Sequence, residues 1–138
     1  IPGYSFNRSA YEAPDFLNFL NSFKPDLIVL AGFLWKITSG IVEAFPQKII
    51  NIHPALLPNF GGKGMYGMHI HRAVIERGVK ETGITIHYVN EAYDEGEVLL
   101  QKQIKVFPED TPSTLAARVL NLEHKTYSKL IEQLLTAP

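Results

Sequence analysis

The stretch IINIH, from Ile49 to His53, predicts a β-strand around which the rest of the chain is organised. Before it comes a short predicted helix that Thr38 can cap, that runs to about Phe45 and that Pro46 closes. The earlier aliphatic run Leu27–Ala31 is typical of a strand covered on both faces. This strand–helix–strand order predicts an α/β protein with a mostly parallel sheet.

The pattern elsewhere predicts three more helices and two more strands. The helices are Ala13–Phe23, His69 to about Arg77, and Leu115–Leu135 preceded by a start at Thr111 or Ser113. The strands are Gly83–Val89 and Val98–Val106, which could form an antiparallel edge to the sheet. Ligands bind beyond the carboxyl ends of parallel strands, so the residues after the first two strands are the first place to look for a site.

Composition excludes several classes of function. A chain of 138 residues with 46% hydrophobic residues can bury one ordinary core, which makes one domain the natural expectation. The net charge of −1 gives no basic face for nucleic acid and no polybasic patch for a membrane surface. Without cysteine there is no disulfide, thiol nucleophile or thiolate zinc site, and the apolar runs are too short to span a bilayer. We therefore expect a soluble, cytoplasmic protein.

Three polar residues form the candidate catalytic set. Asn51 and His53 lie two residues apart in the predicted strand, so their side chains point to the same face. An amide N–H beside an imidazole can stabilise an oxyanion and manage a proton, as attack by an amine on a formyl carbon requires. Asp94 is a candidate partner, expected to raise the pKa of His53 and favour its cation. From the residues alone an ordinary role stays open: turn caps for Asn51 and His53, and an Asp-x-Gly turn for Asp94.

Longer motifs carry a resemblance to a known family. They are Asn51–Pro58, the glycine-rich loop Asn59–Gly67, the following Gly67–His71 and the later Asp94–Gly96. With these motifs the chain resembles the folate-dependent formyltransferases, from about Arg8 to Leu135. The resemblance implies a Rossmann-like sheet flanked by helices. It also implies that residues 1–138 are the C-terminal, catalytic part of the domain, without the family's first strand and glycine-rich phosphate loop.

The resemblance implies a reaction as well. The expected activity is direct transfer of a formyl group from the cosubstrate 10-formyltetrahydrofolate to the amine of glycinamide ribonucleotide, in de novo purine biosynthesis. Asn51 would donate to the formyl oxygen, while Asp94 would pair with His53 and organise a water that relays protons. The alternatives are a formyltetrahydrofolate hydrolase and a non-catalytic folate-binding fragment. A tRNA formyltransferase is disfavoured, since the chain has no C-terminal extension or basic surface.

Binding residues are carried over from the family position by position. The implied folate contacts are Leu34, Trp35, Ile37, Val89, Asn90, Glu91 and Asp94; the implied ribonucleotide contacts are Gly32 and Glu123; and the implied supporting residues are His69 and His87. For Leu34 and Ile37 core packing remains the alternative, for Glu123 a solvated helix position, and for the two histidines a structural role. The resemblance implies a monomer or a homodimer.

Some positions depart from the family pattern or suggest other chemistry. Trp35, Lys36, Tyr93 and Glu97 stand where the family more often has other residues, and the loop is lengthened around Lys63–Tyr66. This loop lacks the ending of a phosphate-binding loop and is interpreted as a mobile flap. His69 and His71 lie two apart on a predicted helix and point in different directions, so no metal is expected.

Overall fold

The computed structural model describes residues 1–137, so the domain expected over 1–138 ends one residue beyond it. Its elements are α1 (Arg8–Glu12), α2 (Pro14–Ser22), β1 (Ile28–Leu30), α3 (Ser39–Ala44), β2 (Ile49–His53), α4 (Met68–Glu76), β3 (Glu81–Tyr88), β4 (Val98–Lys105) and α5 (Pro112–Thr136). Among these residues no helix combines the length and apolar character needed to cross a membrane.

The four strands form one mixed sheet in the order β1-β2-β3-β4. β1 and β2 run parallel, while β2 with β3 and β3 with β4 run antiparallel. The α/β class is confirmed, and so is the antiparallel edge. A mostly parallel sheet was expected, but within the described residues only β1 and β2 run parallel. The chain returns from α4 into β3 in the opposite direction, so β3 is antiparallel to β2.

Local signals placed most elements correctly. Thr38 caps α3 through its hydroxyl, and Thr111, the earlier of the two predicted starts, caps α5. The prediction of a single helix over Ala13–Phe23 missed a second helix. This helix, α1, precedes it and is capped by Asn7. Pro14 starts α2 because proline suits the first turn of a helix and cannot continue the preceding one.

The strand β2 is covered on both faces by separate apolar clusters. Its residues Ile50 and Ile52 pack with side chains of β3, α4 and α5. On its other face Ile49 packs with Tyr11 of α1 and with α3. The expected double cover of the first strand was wrong at Val29, which is 39% exposed because β1 is the edge strand of the described sheet. Since side chains alternate along a strand, Asn51 and His53 share the face of Ile49.

Candidate active site

Antiparallel pairing brings a third polar side chain beside the two on β2. Asn51 is the register partner of His87 on β3, although 36 residues separate them. Asn51 Nδ2 lies 3.4 Å from His87 Nε2. Both histidines are almost fully buried, with His53 4% and His87 2% exposed. The sheet itself therefore builds a polar cluster from adjacent strands.

Asp94 closes this cluster from the turn between β3 and β4. Its backbone is left-handed, with φ of 56°, a conformation that Asp and Asn adopt more readily than most residues. Oδ1 lies 3.5 Å from His53 Nδ1 and 3.6 Å from His87 Nε2. Oδ2 accepts the N–H of Gly62 at 3.0 Å. The carboxylate therefore connects the two histidines to the glycine-rich loop.

The protonation of His53 follows from its surroundings. Nε2 lies 2.7 Å from the carbonyl oxygen of Phe60, and because a carbonyl only accepts, Nε2 carries the hydrogen. Burial lowers the pKa of His53 below its ordinary 6.5, although Asp94 and the Phe60 carbonyl act in the opposite direction. The carboxylate acts to raise the pKa of His53, as expected, but desolvation outweighs it, so the cation is not favoured overall. Near neutral pH the ring is uncharged, with the lone pair of Nδ1 facing Asp94.

Asp94 is ionised under the same conditions. Burial by itself would raise its pKa. The imidazole of His87, the imidazole of His53 and the N–H of Gly62 together outweigh burial and leave the pKa lowered. The cluster therefore contains a buried carboxylate next to a neutral imidazole, a combination that can accept a proton and then hold it as an ion pair.

The cluster opens into a cavity of about 1110 Å³, a volume that suits a cofactor-sized ligand. Asn51, His53, Asp94 and His87 all line it. The expected folate residues that also line it are Leu34, Trp35, Ile37, Val89 and Asn90. The glycine-rich loop contributes Lys63 and Tyr66 to the cavity lining. The site is therefore apolar along one side and polar at the cluster.

Two expected residues lie elsewhere. Glu91 is exposed and lines a separate, smaller groove with Arg8 and Glu12. His69 is exposed on α4, outside the cavity lining, and its ring packs edge-on against Tyr66. Motif spacing could not show that these two residues lie outside the cavity. The direction of each side chain depends on how the turn and the helix pack against the rest of the molecule.

The expected ribonucleotide contacts do reach the cavity. Gly32 follows β1 with φ of 70°, in the left-handed region that glycine adopts without strain. Glu123 of α5 is partly buried in the cavity wall, and burial raises the pKa of its carboxyl. Gly32 lies just beyond the carboxyl end of β1, as the position rule for α/β sheets predicts.

The sequence reasoning missed two cavity residues. His71 is 5% exposed, lines the cavity and has an Nδ1 atom without a hydrogen-bond partner among the described residues. Tyr127 donates its hydroxyl to the carbonyl oxygens of Leu30 and Ile50, which ties α5 to β1 and β2. Helical spacing could have found both, since His71 precedes buried Val74 by three residues and Tyr127 follows Glu123 by four.

In the part of the chain that the structure describes, no three His, Cys, Asp or Glu side chains group closely enough to hold a metal ion.

Comparison with known proteins places this site in a family. A family model described as formyl transferase matches residues 2–131. The phosphoribosylglycinamide formyltransferase of Bacillus subtilis is 39% identical over 140 residues, covering 98% of this chain and 69% of that protein. A chloroplastic protein of the same name from Arabidopsis thaliana is 49% identical over 137 residues, covering 95% of this chain and 47% of that protein.

Solved structures agree with the sequence comparison. The crystal structure of phosphoribosylglycinamide formyltransferase from Bacillus halodurans superposes with a TM-score of 0.88 at 32% identity, covering 99% of this chain and 71% of that one. A formyltetrahydrofolate deformylase from Pseudomonas syringae shares the fold, with a TM-score of 0.76 at 24% identity. The chain spans 47% of the Arabidopsis relative and 56% of the Escherichia coli one. On the match over residues 2–131, the chain belongs to the formyl transferase family.

Proposed function

We propose that this chain is the catalytic part of a phosphoribosylglycinamide formyltransferase. It would transfer the formyl group of 10-formyltetrahydrofolate to the amine of glycinamide ribonucleotide. The observation that carries the proposal is the meeting of Asn51, His53 and Asp94 at one wall of a cofactor-sized cavity. The names of the relatives from Arabidopsis thaliana and Bacillus subtilis support the choice of substrates.

The chemistry needs a donor for the oxygen and an acceptor for the proton. The substrate amine attacks the formyl carbon, and the carbonyl oxygen becomes an oxyanion that Nδ2 of Asn51 stabilises. The amine loses a proton through water to Nδ1 of His53, and the imidazolium is then stabilised by Asp94. The bond from the formyl carbon to N10 breaks, N10 takes up the proton, and tetrahydrofolate leaves. The substrate supplies its own nucleophile, so no serine or cysteine is required.

The two ends of the cavity would bind the two substrates. The folate would lie on the apolar wall formed by Leu34, Trp35 and Ile37, where flat ring faces can be covered and backbone groups are near. The ribonucleotide would lie toward Gly32 and Glu123, at the carboxyl ends of β1 and β2. Direct transfer requires this arrangement, because the amine must reach the formyl carbon while both ligands are bound.

Formyl transfer by the complete protein tests the proposal, with an Asn51→Ala variant assayed in parallel. Removal of one oxyanion donor is expected to lower kcat by about 10²- to 10³-fold. Asn18→Ala is the control, because Asn18 is an exposed asparagine on α2 outside the cavity lining. Folate hydrolysis without the ribonucleotide would instead indicate a hydrolase, and folate binding with no turnover a non-catalytic binding protein.

A further inference from the structure

We propose that Phe60 is a positioning residue for formyl transfer, because its backbone carbonyl makes Nδ1 the basic nitrogen of His53. The inference rests on the proposed function and concerns a residue outside the expected catalytic and binding sets. Three features meet at Phe60: a left-handed backbone, a short contact between its carbonyl oxygen and His53, and a guanidinium over its ring. Phe60 lies outside the cavity lining, so any effect on the reaction must pass through a neighbour.

Two acceptors compete for the single ring hydrogen of neutral His53. The carbonyl oxygen of Phe60 lies 2.7 Å from Nε2, and the nearest oxygen of Asp94 lies 3.5 Å from Nδ1. Because N–H···O bonds are about 2.7–3.2 Å long, only the carbonyl is within hydrogen-bond range, and the hydrogen lies on Nε2. A carboxylate partner by itself would favour the opposite tautomer, with the hydrogen on Nδ1. Phe60 therefore decides which ring nitrogen takes up the substrate proton.

The direction of this carbonyl depends on the backbone of Phe60. Its φ is 57°, in the left-handed region that bulky residues rarely adopt. His53 is fixed in β2 by its pairing with Thr85 on β3. Rotation of φ into the extended region would swing the carbonyl group of Phe60 away from Nε2. The hydrogen bond therefore requires an unfavourable backbone conformation, which the surrounding structure must support.

The ring of Phe60 supplies that support. It is partly buried against the apolar cluster that contains Ile70 and Val74 of α4. Cζ of Arg77 lies 4.8 Å from the ring centroid, within the range of cation–π attraction. Arg77 is itself held at the end of α4, where its N–H donates to the carbonyl of Ala73 at 3.0 Å. The ring is therefore held between the core and a guanidinium, and it keeps the left-handed backbone in place.

Alanine and glycine at position 60 separate the backbone from the ring. Both remove the ring, but glycine adopts a φ of 57° without strain, whereas the Cβ of alanine disfavours it. Phe60→Ala is expected to lower kcat of formyl transfer roughly 10- to 100-fold, with a much smaller change in KM, because the base is misdirected. Phe60→Gly should be about fivefold or more faster than Phe60→Ala.

The order of these two variants decides between positioning and packing. If Phe60 served only to fill space, glycine would be the slower variant, because it leaves the larger gap and the more flexible chain. That order, or equal kcat values, would overturn the proposal.

Phe107→Ala is the matched control. The ring of Phe107 also lies under a guanidinium, with Cζ of Arg118 4.3 Å from its centroid, but neither residue lines the cavity. Its kcat should stay within about twofold of that of the unmodified protein. A loss as large as that of Phe60→Ala would show that the break of any such pair lowers activity, and would overturn the proposal.

A spectroscopic measurement tests the tautomer without any substitution. Two-bond ¹H–¹⁵N correlation spectra of the complete, histidine-labelled protein at about pH 7.5 should show His53 protonated at Nε2 and unprotonated at Nδ1. Protonation at Nδ1, alone or at both nitrogens, would overturn the inference even if no Phe60 variant folds. In Phe60→Ala the hydrogen should shift toward Nδ1, and in Phe60→Gly it should remain at Nε2. Failure of the unmodified protein to transfer formyl groups would remove the proposed function, whereas normal transfer with Nδ1 protonated would remove only this inference.

Discussion

Asp94 meets a backbone demand and a chemical demand at one position. Its φ of 56° needs a residue that tolerates the left-handed region, and its carboxylate lies beside His53 and accepts a hydrogen bond from Gly62. Asparagine also tolerates the left-handed backbone but has no carboxylate to place beside His53. Substitution at this position can therefore separate the shape of the turn from its charge.

We expect Asp94→Asn to keep the fold and lose most of the activity. Without the carboxylate the imidazolium of His53 is no longer stabilised, so kcat should fall by at least about tenfold. Asp94 acts to raise the pKa of His53, so its removal should lower that pKa further below 6.5. The measurement is an NMR titration of His53 beside steady-state kinetics. An unchanged His53 titration would show that the carboxylate does not act on this ring.

At the scale of elements, β3 holds the segment that follows β2. The hydroxyl of Thr85 donates to the carbonyl of Ala55 at 2.7 Å and accepts from the N–H of Leu57 at 3.0 Å. It also accepts from Nε2 of Gln101 on β4 at 2.9 Å. All three capacities of the hydroxyl are used, and the chain leaving His53 is thereby fixed to the sheet.

Thr85→Val and Thr82→Val form a matched pair on this strand. Both threonines are buried, at 0% and 2% exposed, but the Thr82 hydroxyl has no hydrogen-bond partner among the described residues. Thr85→Val should lower the free energy of unfolding by about 2–3 kcal/mol, because buried backbone groups lose their partner. Thr82→Val should be neutral or slightly stabilising. Equal losses in chemical denaturation would show that packing, and not hydrogen bonding, determines the cost.

At the scale of the whole molecule, two buried histidines couple folding to pH. Burial lowers the pKa of His53 and of His71 below the ordinary 6.5. Below pH 6.5 the unfolded chain therefore binds protons that the folded chain does not bind until its lower pKa values are reached. The free energy of unfolding must decrease as the pH falls through this window. The lowered pKa of Asp94 adds a further loss of stability as the pH falls below about 3.8.

We expect His71→Leu to flatten this dependence. The substitution removes one of the two groups, and each can contribute up to about 1.4 kcal/mol per pH unit where only the unfolded state is protonated. Denaturant unfolding of both proteins at several values between pH 5 and 7.5 measures the slope. The same slope in the variant would mean that His71 binds protons alike in the folded and unfolded states.

The sequence by itself determined the local elements and the chemical set. β2 follows from a short aliphatic run, and the starts of α3 and α5 follow from Thr38 and Thr111, because caps and hydrophobic periodicity act over a few residues. Asn51 and His53 could be placed on one face from strand alternation alone. The motifs around them were enough to predict the family that the comparison then confirmed.

Tertiary structure alone decided what surrounds those residues. The register of β2 against β3 sets His87 beside Asn51, and the seating of α4 turns His71 into the cavity while leaving His69 exposed. His53 is neutral because packing removes water from its ring and thereby lowers its pKa. This effect outweighs the carboxylate of Asp94, which acts to raise the same pKa. Pairing register and desolvation depend on contacts between distant parts of the chain, so no local pattern could have specified them.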